Sequence, residues 1–358
     1  MPGASYERYG LTSNPFRDLA SENIEDVAIY HVNQEVDDTL QTIRDEVYDK
    51  ENRAVVGIIG PHGAGKTERL LVTAAEARER GAFCVYFDVP AKTAWVLRGV
   101  AAQFLKEAKA RGRVKLFSQP PWMRAMTTLS KVKEEKYDAK NAGKVLGQAL
   151  NESAPSLLLL NDLNNLIESR EVNAFAAVIQ EITDSIKPGV LVMFTCYASY
   201  IAWLTVNHPA LASRINRTFT LAGLSDGEAS VLLAKKLLVK RLVEDLDPIY
   251  PFDKEAVHAL TQASGANPRR LLELADLSIE YGIAHRAYRV DLDVVQAIIA
   301  QRAANQAATS AARMPPTKNP AAKPSASASP TDTSDETMTS RDPDKWREGP
   351  APATSRQG

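Results

Sequence analysis

The run Gly60-Pro61-His62-Gly63-Ala64-Gly65-Lys66-Thr67 constrains this chain more than any other feature. It fits the pattern G-x-x-x-x-G-K-[ST] at every position. Before it, Ala54-Val55-Val56-Gly57-Ile58-Ile59 reads as a short buried strand; after it, Glu68 to Glu79 reads as a helix rich in Leu and Ala. Strand, glycine loop and helix together give the pattern a mechanical meaning. Glycines let the backbone wrap an anion so that consecutive N–H groups point inward. The helix N-terminus adds partial positive charge behind them. In such a cradle Lys66 reaches the β- and γ-phosphates of a nucleotide and Thr67 offers its hydroxyl to Mg²⁺.

The order of apolar runs beyond the loop predicts the fold class. Phe83–Val89, Ser156–Leu160, Val190–Cys196 and Thr218–Leu221 read as further strands separated by helical stretches, as Val55–Gly60 does before the loop. Alternating strands and helices over 51–220 predict an α/β domain whose parallel sheet is covered on both faces. Residues 1–50 begin irregularly and then carry an amphipathic helix, about Gln34 to Tyr48. Residues 221–304 read as helices only. Ser225-Asp226-Gly227-Glu228 is a capping-box start, Asn267-Pro268 an N-cap with proline at the first helical position, and a last helix after Asp291 puts Leu292, Val295 and Ile299 on one face. From about Asn305 to 358 the chain is Ala, Pro, Ser, Thr and scattered charge, which cannot offset its ordering entropy, so disorder is expected there.

Composition excludes some classes. With 43 Lys and Arg against 44 Asp and Glu, the chain as a whole is no electrostatic nucleic-acid binder. Cys84 and Cys196 sit in separate apolar runs, which fits a reducing compartment better than a disulfide or metal site. Met1 to Arg17 has no signal-peptide core, so the expectation is a cytoplasmic protein. Pro188 to Ser213 lacks Asp, Glu, Lys and Arg altogether. It is diluted by Thr195, Ser199 and Thr205 and has no basic flank, so it reads as a buried strand turning into a helix over about Ala198 to Val206, not as a membrane span.

A phosphate-binding loop needs an acid to orient Mg²⁺ and another to position water. Leu157-Leu158-Leu159-Leu160-Asn161-Asp162 is the plausible place. Asn161 stands where the Mg²⁺-linked Asp is expected, and Asp162 where the water-polarising Glu is expected. Asn can accept a hydrogen bond from a metal-bound water but brings no charge, and Asp is one methylene shorter than Glu. Nucleotide binding is therefore better supported than fast hydrolysis; the bland alternative is an ordinary strand end leading into a turn.

With these pieces in order the chain resembles the AAA+ ATPases, from the loop to the end of the helical region. By that resemblance ATP and Mg²⁺ are the cofactors, and an AAA+ α/β domain is followed by a small helical lid. Thr195 sits where the superfamily carries its polar sensor-1 residue. Ala210-Leu211-Ala212-Ser213-Arg214 is similar to the segment that presents an arginine finger to a neighbouring subunit, which implies a homo-oligomeric ring or filament. Thr218 to Ser225 is similar to the link into the lid, and Gly265-Ala266-Asn267-Pro268-Arg269-Arg270-Leu271 to the sensor-2 helix, making Arg269 the implied γ-phosphate contact. Tyr9-Gly10-Leu11-Thr12-Ser13-Asn14-Pro15-Phe16 resembles the start of secretion-pathway A-type and transposition-targeting ATPases. The Asn-Pro-Arg helix is similar to the origin-recognition initiator group, whose members carry a winged-helix domain after the lid where this chain has its polar tail. The resemblance puts Tyr30 and His31 near the adenine; packing under the N-terminal segment is the alternative.

Arg98, Lys106, Lys109, Arg111, Arg113, Lys115, Arg124, Lys131, Lys133, Lys136, Lys140 and Lys144 outnumber the acids between 98 and 144, with Phe117 and Trp122 among them. This stretch reads either as a duplex-DNA contact or as a solvated helix face with Trp122 turned inward. Trp346, alone among charges near the end, reads as a motif for a protein partner on a flexible tether or as a residue without consequence. Three functions compete: an ATP-dependent assembly switch on DNA with slow hydrolysis, a protein-remodelling or secretion-linked ATPase, and a nucleotide-gated scaffold that does not hydrolyse.

Overall fold

The computed structural model describes residues 6–17, 34–90, 96–112, 119–132 and 137–313. Five strands, β1 (Ala54–Ile59), β2 (Phe83–Asp88), β3 (Ser156–Asn161), β4 (Val190–Cys196) and β5 (Arg217–Thr220), form one sheet in the order β2-β3-β4-β1-β5. Every pairing is parallel. β1, β3 and β4 are buried along their whole length. That explains why their sequences are near-continuous apolar runs, with Ser156, Asn161 and Thr195 at or next to the strand ends: both faces of a parallel sheet are covered, so no position faces water.

Alternate residues of the strands feed two cores. Val85, Leu158, Leu160, Val192 and Phe194 pack with Phe104, Trp122, Leu146, Phe175 and Ile182. These come from α3 (Val96–Ala110), α4 (Pro121–Leu129), α5 (Ala139–Glu152) and α6 (Val172–Ser185), the helices between β2 and β4. Val56, Ile58, Leu157, Leu159, Leu191 and Met193 pack instead with Leu40, Val47, Leu70 and Ala74, from α1 (Gln34–Tyr48) and α2 (Lys66–Glu79). The charge-free stretch resolves into the central strand β4, then α7 (Ala198–Asn207) and the short α8 (Pro209–Ala212). No helix among the described residues is long and apolar enough to cross a membrane.

Among the described residues four helices follow β5: α9 (Asp226–Val239), α10 (Lys254–Ala263), α11 (Pro268–Ala284) and α12 (Leu292–Arg313). Ser225 and Glu228 form the expected capping box on α9. Asn267 caps α11 through its side chain, with Pro268 in the first turn. The lid core joins Leu233, Val257, Leu260, Leu271, Ile279 and Val295. On α12 the inward residues are Val294, Val295 and Ile298, with Ile299 beside them, whereas Leu292 is exposed. The expected face is thus displaced: Leu292 begins the helix, before the turn that meets the core.

The N-terminal segment adds Tyr9, Leu11 and Phe16 to that lid core, all fully buried. Thr12 N–H donates to Lys240 O at 2.8 Å, and Phe16 stands edge-on to Phe252 with centroids 5.9 Å apart. Asn14, also buried, donates from Nδ2 to Asp276 Oδ1 at 2.8 Å and to Glu280 Oε1 at 2.9 Å.

Trp122 does not interleave with the basic side chains. It is buried, edge-on to Phe83 at 6.4 Å. α4 is short and amphipathic, and its indole fills the space between β2 and the helical layer. Arg98, Lys106, Lys109, Arg124, Lys131, Lys140 and Lys144 are exposed on α3, α4, α5 and the turn after α4. Arg111 is committed locally: it pairs with Glu107 at 2.5 Å and donates to Gly81 O at 2.7 Å and to Ala82 O. Arg113, Lys115, Phe117, Lys133, Lys136 and Trp346 lie outside the described residues.

Candidate active site

Ligand crevices of parallel sheets open at the carboxyl ends of the strands. Here the order of the sheet brings four such ends side by side. Asp88 ends β2, Asn161 ends β3, Thr195 and Cys196 end β4, and the glycine loop leaves β1. Asp88 is in register with Asn161, and Ile58 with Thr195.

The loop has the geometry its sequence demands. Gly63 and Gly65 sit at φ +79° and +86°, where a side chain costs about 1–2 kcal/mol. The N–H groups of Gly63, Gly65, Lys66 and Thr67 have no hydrogen-bond acceptor among the described residues, although Lys66 is 5% exposed. Unpaired donors gathered at the N-terminus of α2 are what a phosphate satisfies. Lys66 Nζ donates to Gly60 O and Pro61 O, both at 2.9 Å, and lies 4.7 Å from the centre of the Tyr197 ring. Burial lowers the Lys66 pKa, and the nearby Asp162 carboxylate opposes that shift.

Behind the loop runs a closed polar chain. Thr67 Oγ1 donates to Asn161 Oδ1 at 3.1 Å, and Thr195 Oγ1 donates to the same oxygen at 2.7 Å. Asp162 N–H donates to Thr195 Oγ1 at 2.8 Å. Asn161 Nδ2 donates to Asp88 Oδ1 at 2.8 Å, and the carboxylate partner fixes which end of the amide is nitrogen. Thr195 is fully buried and Asn161 nearly so, so satisfaction of these groups matters to stability. Asp162 stands in the left-handed region at φ +58°, where Asp is tolerated better than bulkier residues.

The residues fit Mg²⁺ with a nucleotide. Thr67 Oγ1 and Asn161 Oδ1 are the hard oxygens next to the cradle, Asp162 is the carboxylate beside them, and phosphate oxygens and water complete such a shell. Bound there, the ion would neutralise charge on the β- and γ-phosphates.

The lid reaches the loop. Asn267 Nδ2 donates to His62 O at 2.8 Å and Arg269 N–H to Gly63 O at 3.3 Å. Arg269 Nη1 is 3.4 Å from His62 Nε2, and its Nε is 3.5 Å from Glu273 Oε1. Arg214, after α8, is half-exposed, ion-paired with Asp184 of α6, and donates from Nη1 to Ala210 O at 2.7 Å. The structure therefore gathers the cradle, Asn161, Asp162, Thr195 and Arg269 together, whereas Arg214 is held by contacts of its own on α6 and α8. Tyr30 and His31 lie outside the described residues. Asp88 and Tyr197 belong to the constellation but did not emerge from the sequence; the apolar run ending at Asp88 is the signal that could have nominated the former.

No protein-family model matches the sequence, and no curated protein sequence matches it. Solved structures do. The Aeropyrum pernix ORC1 protein in complex with DNA superposes with a TM-score of 0.52 at 15% identity, over 84% of this chain and 72% of that one. The fold is that of the AAA+ ATPases. The Aeropyrum pernix ORC2 protein, solved in ADPNP-ADP complexes, gives 0.53 at 15% identity over 80% and 71% of the two chains. The Pyrobaculum aerophilum CDC6P structure gives 0.52 at 10% identity over 78% and 68%. The resemblance to the origin-recognition group thus extends from the AAA+ sheet into the lid.

Proposed function

We propose that this AAA+ protein is an ATPase that acts as a nucleotide-dependent assembly switch, oligomerising on duplex DNA and hydrolysing ATP slowly. The observation that carries the reading is the joining of the cradle to the strand ends: Thr67 and Thr195 converge on Asn161 Oδ1 beside an N–H cradle with no acceptor among the described residues. Lys66, now bonded to loop carbonyls, would turn to the β- and γ-phosphates. Arg269 would report the γ-phosphate from the lid, and Arg214, released from Asp184, would complete a neighbour's site. Slow turnover follows from an amide at Asn161 and a short carboxylate at Asp162. The exposed cations of α3, α4 and α5 suit a DNA backbone, and without Trp122 they would bind by charge and not by stacking. Two buried, free cysteines agree with a reducing compartment such as the cytoplasm.

Calorimetry with ATP tests the core of this reading. Lys66→Ala removes the mobile cation of the loop and should abolish ATP binding; undiminished affinity would refute the site. Filter binding with duplex DNA across a salt series, with and without ATP, tests the rest. The affinity should fall with a slope of about −0.9 per phosphate neutralised. ATP-independent or absent binding would favour protein partners. The scaffold reading has one observation of its own, the uncharged Asn161, and predicts ATP binding with no phosphate release.

A further inference from the structure

The missing charge at Asn161 has a neighbour able to replace it. Asp88 ends β2 one strand away, in register with Asn161. Its Oδ1 accepts from Asn161 Nδ2 at 2.8 Å and from Tyr86 OH at 2.7 Å. No described residue donates to Oδ2, and the carboxylate is open to solvent. Burial, and then the bond to Asp88, raises the Tyr86 pKa, so the phenol stays a donor. The amide between the two ends turns Oδ1 towards Thr67 and Thr195 and Nδ2 towards Asp88.

We propose that Asp88 is a positioning residue that supplies, through the Asn161 amide, the negative charge Mg²⁺ requires at this site. A carboxylate on the N–H side of an amide polarises it, making Oδ1 a stronger acceptor on the cradle side. It also locks the amide so that oxygen, not nitrogen, faces Thr67. An Asp at 161 would instead place two carboxylates at hydrogen-bond distance, where one must take a proton or move. Asn161 and Asp88 thus form one unit, with the charge moved to the next strand. This rests on the nucleotide reading above.

The test is the Mg²⁺ dependence of ATP affinity, measured by calorimetry in Mg²⁺ and in EDTA for the full chain. Partners behind a metal ligand typically set metal affinity by 10–100-fold. Asp88→Asn should raise the dissociation constant in Mg²⁺ and so lower the ratio of the EDTA value to the Mg²⁺ value by about tenfold or more, leaving the EDTA value unchanged. Asp88→Asn combined with Asn161→Asp returns the charge to β3 and should restore the ratio. Tyr86→Phe, which removes a donor but no charge, should keep it. Mn²⁺ bound in the presence of ADP, followed by its electron paramagnetic resonance, should weaken and recover in the same order. An unchanged ratio in Asp88→Asn, a loss that also appears in EDTA, or no recovery in the double variant would overturn the role. A wild-type chain that binds no ATP in either buffer would overturn the nucleotide reading itself.

Discussion

Gly63→Ala separates the strain of the loop from the docking of the lid upon it. Gly63 lies at φ +79°, and a Cβ there would come 2.7 Å from Arg269 Cβ and 2.8 Å from Asn267 Oδ1. The left-handed backbone costs the alanine about 1–2 kcal/mol. The clash must be relieved by backing the start of α11 away, which gives up the Asn267–His62 and Arg269–Gly63 hydrogen bonds, about 1 kcal/mol each. Both losses act on global unfolding, since each lowers the stability of the folded state. Gly81→Ala is the matched control: φ is +68°, but nothing lies within 4 Å of the added Cβ. Gly81→Ala should therefore melt a few degrees lower than the wild type, and Gly63→Ala lower still because it also loses the docking. Hydrogen exchange tells them apart. Loss of about 2 kcal/mol of docking should speed exchange of the Arg269 amide about 30-fold in Gly63→Ala, with no change in Gly81→Ala. Equal protection of that amide in both variants would refute the contact between lid and loop in solution.

Other outcomes rest on the same geometry. Arg214→Ala mixed with Lys66→Ala should regain part of the phosphate-release rate each lacks alone, since a well-placed finger contributes about 10³–10⁵ in rate; no recovery, with a monomeric ATP-bound protein by light scattering, would remove the oligomer. Asp184→Asn should free Arg214 and leave ATP affinity unchanged, which calorimetry can check. Asn14→Leu should cost about 2 kcal/mol at pH 7, because charge-assisted bonds to two carboxylates are lost at a partly exposed site. Its deficit should shrink as the pH falls towards 4. The Asp276 pKa is already raised by burial and by Glu280, so its charged form costs stability above that pKa and the cost disappears on protonation. Glu280 is disfavoured by burial yet held low by Asn14, Tyr6 and Arg17, so the stability it contributes is present at neutral pH and lost in acid. A deficit that grows on acidification, in melts compared with wild type, would show that the Asn14 bonds do not carry the effect.

What could be read from the sequence is what depends on one segment at a time. Strands β1, β3 and β4 are legible because burial on both faces leaves apolar runs whose polar residues, Ser156, Asn161 and Thr195, fall at or next to a strand end. The cradle is legible because left-handed turns and an N–H nest require glycine at fixed spacing. The caps at Ser225 and Asn267 are legible for the same local reason. Pairings across the sequence are not. Arg214 and Asp184, or Tyr9 and the lid, come together only through the packing of distant elements, and no spacing rule announces them. Trp122 was ambiguous for a related reason: an aromatic among lysines looks the same in sequence whether it faces water or Phe83.

Asp88 shows the same limit at the heart of the site. Read along β3 alone, Asn161 is a position that has lost its charge, and weak metal binding is the natural consequence. Read across the sheet, Asn161 is the middle of a row that runs from Asp88 through the amide to Thr67 and Thr195. Parallel pairing sets that row: a shift of β2 by one residue would turn Asp88 to the other face. The partner of a substituted strand-end residue is therefore to be sought at the same register on the neighbouring strand, some seventy residues away in the chain and one hydrogen bond away in the fold.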